Sequence, residues 1–96
     1  MIDLTTEQDN ILKTAIKQFG ADKQMDMVIE ECSELTKAIL KYRRSNTIEN
    51  AEEILKETAD VFIMLRQIGF IFAPLKFDMN GEASAKIARL RTTLEK

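Results

Sequence analysis

The sequence predicts an all-α domain: a four-helix, antiparallel, bundle-like subunit built on a central helical hairpin. Three observations carry that prediction. Apolar residues recur at helical spacing over four segments. Three Gly and one Pro among 96 residues leave few breaks, so the connections are short. The main turn signals fall between the periodic segments rather than within them.

The first helix starts near Thr5 or Thr6, where Thr5-x-x-Gln8 fits a capping box. Ile11, Leu12, Ala15, Ile16 and Phe19 form one apolar stripe, and Gly20 is placed just past the C-cap. Lys13, Lys17 and Gln18 lie off that stripe and read as a solvated face. A second helix is expected after Asp22, a candidate N-cap. Its core stripe reads Met25, Val28, Ile29, Cys32, Leu35, Ile39 and Tyr42, with Cys32 as a small buried hydrophobe rather than a reactive thiol. Ser45-Asn46-Thr47 supplies the turn of the hairpin.

The third helix runs from about Thr47 to Phe72, with a stripe of Ala51, Ile54, Leu55, Thr58, Val61, Phe62, Leu65, Ile68 and Phe72. Beyond Val61 it is apolar nearly all round, and such a helix must be covered on every side. A chain this short has too few other elements to do so. A homo-oligomer whose interface uses this segment is therefore expected. Pro74 ends the helix. After a loop with Lys76, Asp78, Asn80 and Gly81, the last helix is expected over Glu82 to Leu94. Ala83, Ile87, Leu90 and Leu94 should point inward, while Lys86, Arg89 and Arg91 make this helix basic. Residues 1–96 read as a single domain.

Composition narrows the function. A net charge of -2 gives no basic field for nucleic acid. A single Cys suits a reducing compartment. Met1-Ile2-Asp3-Leu4 lacks the pattern of a secretory signal, and the longest apolar run, Ile68 to Leu75, is too short to span a bilayer. A soluble cytoplasmic protein without a membrane partner is expected. The absence of His removes imidazole zinc sites, Glu-x-x-His di-iron bundles and His-based general bases. A bound metal would be held mostly by oxygen, which favours Mg²⁺, with Mn²⁺ as the alternative and Ca²⁺ less suited.

Four acids stand out. Glu31 and Glu34 share one face of the second helix, and Glu57 and Asp60 share one face of the third. Folding the hairpin between Ser45 and Asn46 brings Glu31 level with Asp60, and Glu34 level with Glu57. Glu31 has Met27, Val28, Glu34 and Leu35 as its helical neighbours; Glu57 has Glu53, Ile54, Asp60 and Val61. Neither has a cation in reach on its own helix. Lys37 can help Glu34 and Lys56 can help Asp60, but excess negative charge remains. Each like-charge pair costs about 0.2–0.5 kcal/mol on an exposed helix. A divalent cation is the simplest remedy. Carboxylates around Mg²⁺ suit phosphoryl chemistry, and Lys41, Lys86 and Arg89 are then candidates to meet phosphate charge.

At these residues the chain resembles the MazG-like all-α nucleoside triphosphate pyrophosphohydrolases, in their short single-domain form. The likeness rests on Glu30-Glu31-Cys32-Ser33-Glu34-Leu35 and Glu57-Thr58-Ala59-Asp60-Val61, with Lys86-Ile87-x-Arg89-Leu90 and Gly20-x-x-x-Gln24 in support, and it spans roughly residues 8–94. It implies Mg²⁺-dependent hydrolysis of an NTP or dNTP to the monophosphate and pyrophosphate, by a homo-dimer or homo-tetramer. It implies metal binding by Glu31, Glu34, Glu57 and Asp60, with Glu30 as an additional or water-orienting acid. Lys86 and Arg89 would hold phosphates, and Gln24 would lie near the nucleotide. Either Glu30 or Glu34 would orient the attacking water. Alternatives are a phosphoribosyl-ATP or pyrimidine-dNTP pyrophosphatase of the same fold, or a non-catalytic helical oligomerisation module.

Overall fold

The computed structural model describes residues 2–96. It contains four α-helices, α1 (Thr6–Phe19), α2 (Ala21–Arg44), α3 (Ile48–Ile71) and α4 (Met79–Leu94), with a 3-10 turn at Ala73–Leu75. No strand occurs among the described residues.

The capping box of α1 is formed. Gln8 N–H donates to Thr5 Oγ1 at 3.1 Å, and Thr5 N–H donates to Gln8 Oε1 at 2.9 Å. No loop separates α1 from α2. Gly20 alone makes the corner, at φ 94°, a conformation that a Cβ would strain. The second helix therefore starts at Ala21, and the expectation that Asp22 caps it is corrected. Asp22 sits in the first turn instead, where its charge complements the helix dipole.

α2 and α3 form the antiparallel hairpin. Thr47 caps α3 by accepting from Asn50 N–H at 3.1 Å, and Asn50 Nδ2 donates to the Ser45 carbonyl at 2.9 Å. The hairpin seam is lined by Gln24, Val28, Glu31, Leu35, Ala38 and Tyr42 of α2 and by Ile54, Glu57, Val61, Met64 and Gln67 of α3, all buried or half-buried. The expected stripes are corrected here. Cys32 is exposed, as are Ile29 and Ile39; so are Leu55, Thr58, Leu65 and Phe72. Each helix carries two apolar stripes about 100° apart. The chain uses the more polar one internally and leaves the other uncovered.

α1 lies against one side of the hairpin. Arg66 grips Asp9 with two hydrogen bonds, Nε to Oδ1 at 3.1 Å and Nη2 to Oδ2 at 2.8 Å. Lys13 Nζ sits 4.9 Å from the centroid of the Phe70 ring. Leu12, Ala15 and Ile16 are half-buried, whereas Ile11 and Phe19 are exposed.

α4 departs most from expectation. Asp78 caps it by accepting from Gly81 N–H at 2.9 Å, so the helix begins at Met79 rather than Glu82. Pro74 does not end helical geometry abruptly; it sits in the 3-10 turn, and Lys76 in left-handed conformation (φ 53°) redirects the chain. Beyond its first residue, Met79, whose side chain lies against Gly69 of α3, α4 packs on none of the other helices. Its Ala83, Ile87, Leu90 and Leu94 are exposed, so the expectation that they point inward fails within one chain. A three-helix body with a projecting fourth helix stands where a four-helix bundle was expected. No described helix is long and apolar enough to cross a membrane.

Candidate functional site

The register of the hairpin fixes the site. Gln24 Nε2 donates to Gln67 Oε1 at 2.7 Å, in a buried amide pair. Gln24 lies seven residues before Glu31, and Gln67 lies seven after Asp60. The pairing therefore places Glu31 opposite Asp60, as the mirrored spacing predicts.

Glu31, Glu57 and Asp60 each offer a carboxylate oxygen, and the three oxygens lie within 4.8 Å of one another. They come from both helices, two from α3 and one from α2. Glu31 and Glu57 are half-buried at the seam, while Asp60 is exposed. Burial, and then the charges of Asp60, Glu30 and Glu34, push the Glu31 carboxyl above its ordinary range. Burial, Asp60, Glu53, Glu31 and Glu34 do the same to Glu57. Among the described residues, no cation forms an ion pair with any of the three.

Glu34 stands beside this group rather than in it. It faces Lys37 at 3.3 Å, in an exposed i,i+3 pair. The expected help from Lys37 is thus present, whereas Lys56 forms no ion pair among the described residues. Glu30 is exposed, next to Glu31 in the chain. Lys41 is exposed in the last turn of α2, one seven-residue step beyond Glu34. Lys86 and Arg89 lie on α4, with Lys86 Nζ 3.5 Å from Glu82 Oε1. Because α4 meets α3 only at its first residue, Met79, these two cations and the acidic group do not meet within one chain.

Gln24 is held by Gln67 in the core, two turns from Glu31. It also borders a shallow, largely apolar cleft with Phe19, Lys23, Met27 and Met64. Gln67 and the Asp9–Arg66 pair were missed by the sequence reading. The mirrored register that aligned the acids would also have found Gln67. Nothing in the spacing marks Asp9, because α1 lies outside the hairpin whose register the turn sets.

The donor set is three carboxylates, with oxygen ligands only. That suits a hard divalent cation. Oxygens on opposite sides of a Mg²⁺ at about 2.1 Å are about 4.2 Å apart. Neighbouring ligand oxygens would sit closer still, about 3.0 Å apart, so the three carboxylates would have to draw together to hold such an ion. No family model, curated protein or solved structure matches the chain.

Proposed function

We propose that this chain is a Mg²⁺-dependent nucleoside triphosphate pyrophosphohydrolase, converting an NTP or dNTP and water to the monophosphate and pyrophosphate. The observation that carries the reading is the convergence of Glu31, Glu57 and Asp60 across the hairpin without a neutralising cation. Its likeness to the MazG-like motifs supports the same chemistry.

Glu31, Glu57 and Asp60 hold the metal, and Glu34 joins them by turning from Lys37. An Mg²⁺ ion held there would neutralise charge on phosphate oxygens and lower the pKa of water for in-line attack. Glu30 or Glu34 accepts the proton as the water oxygen bonds to the α-phosphorus. The bridging oxygen between the α- and β-phosphorus leaves with pyrophosphate. Lys41 meets phosphate charge from the end of α2. The cleft of Phe19, Met27 and Met64 beside Gln24 takes the base. Lys86 and Arg89 reach the phosphates from a second copy in a homo-oligomer.

A panel of NTPs and dNTPs with Mg²⁺ tests this by product. Monophosphate plus pyrophosphate is expected from at least one of them. Glu57→Gln should lower the rate at least about a hundredfold, since even outer-shell changes at metal sites cost 10–100-fold. No turnover, or diphosphate plus phosphate, would overturn the reading and leave the helical interaction module.

A further inference from the structure

Two apolar faces of this chain have nothing over them. One is on the hairpin, where Ile29, Cys32 and Ile39 of α2 and Leu55, Leu65 and Phe72 of α3 are exposed. At about 100° per residue these positions lie roughly 60–160° round from the seam. Because the helices are antiparallel, both sets fall on one side, whereas α1 lies over the back and the other side of the hairpin, where Arg66 holds Asp9 and Phe19 borders Met27. The other face is on α4, where Ala83, Ile87, Leu90 and Leu94 follow helical spacing and are all exposed.

The size of the uncovered surface says what it needs. The chain exposes 7787 Å², whereas a compact monomer of 11.0 kDa exposes about 5,600 Å². The excess of about 2,200 Å² per chain, doubled for a pair, falls in the range of obligate homodimers. The radius of gyration agrees, at 16.2 Å against about 12.5 Å for a compact domain of this length. Charge agrees as well. α4 carries Lys86, Arg89 and Arg91 against Glu82, while α3 carries Glu49, Glu52, Glu53, Glu57 and Asp60 against Lys56 and Arg66.

We infer that α4 is an exchanged arm: in a homodimer, each copy lays the Ile87, Leu90 and Leu94 face of α4 on the exposed hairpin face of the other. Folding back in cis is opposed by the connector. Pro74 and the bonds from Leu75 N–H to Phe72 O and from Lys76 N–H to Ala73 O, both 3.0 Å, stiffen the connector, from which α4 leaves with only Met79 against α3. Packing hairpin on hairpin would leave α4 bare. The inference rests on the homo-oligomer named above and not on the hydrolytic chemistry.

Light scattering after size exclusion, at low micromolar concentration, tests it. The native chain should elute at twice 11.0 kDa or a multiple of that. The double variant Ile87→Asp, Leu90→Asp should dissociate at least about a hundredfold more readily, given the two apolar side chains lost. Its helical circular dichroism should persist, because Ile87 and Leu90 pack on no other helix of their own chain. Leu65→Asp, on the receiving face, should dissociate similarly. Mixing the two variants should restore dimer, since one arm and one receiving face then remain intact together. A native monomer, an α4 variant of unchanged mass, or no recovery on mixing would each overturn the arm exchange. None of these results depends on whether nucleotides are hydrolysed.

Discussion

At the residue scale, the seam holds polar groups where an ordinary hairpin holds apolar ones. Gln24 and Gln67 satisfy each other at 2.7 Å in a buried setting. Gln24→Leu strands the Gln67 amide, with an expected loss of about 1–3 kcal/mol in urea unfolding. The double variant Gln24→Leu, Gln67→Leu should recover most of that loss, because no buried amide is left unpaired. Equal losses in single and double variants would contradict the pairing.

The acids give a pH signature of opposite sense to the outer ion pair. Glu31 and Glu57 are held above their ordinary range, first by burial and then by neighbouring carboxylates. The folded chain thus keeps protons that the unfolded chain releases. Stability should fall as pH rises through the raised values, in the window just above the ordinary glutamate range. Glu57→Gln should flatten that decline. Asp9 is held below its ordinary value by the hydrogen bonds and charge of Arg66. Its contribution is present above the ordinary aspartate value and is lost as pH falls through the lowered one. Asp9→Asn should remove only that acid limb. Denaturation midpoints measured across pH separate the two effects.

At the element scale, most of the fold was legible. The caps at Thr5 and Thr47 and the hairpin turn follow from side chains acting within a few residues. The α1–α2 corner was not, because a one-residue joint needs no turn cluster, only a glycine at positive φ. Gly20→Ala should cost about 1–3 kcal/mol from backbone strain alone, as nothing lies within 4 Å of the added Cβ. The start of α4 was placed late because Asn80 and Gly81 look like a loop, yet Asp78 captures the Gly81 N–H. Periodicity could not choose the inward stripe. It counts Cys32 and Leu65 as core because they are apolar, whereas the chain's own partner surface selects Glu31 and Glu57.

At the scale of the whole molecule, the heights of the acids were readable from sequence and their convergence was not. Spacing set Glu31 against Asp60; only helix rotation brought Glu57 and Asp60 within 4.8 Å of Glu31 and left Glu34 with Lys37. The place of Lys86 and Arg89 was unreadable for another reason. They ride on a helix whose length packs on no other helix of the chain. Binding of Mg²⁺ to the folded chain alone should stabilise it by about 2.7 kcal/mol at a hundredfold excess over the dissociation constant.

The most direct measurement is a titration of Mn²⁺, followed by its paramagnetic signal, into the native chain and into Glu31→Gln and Asp60→Asn, each with a non-hydrolysable nucleoside triphosphate present. Saturable binding by the native chain, lost when either helix gives up its carboxylate, is the predicted result. No saturable binding, or binding unchanged by both substitutions, would contradict a cation shared between α2 and α3.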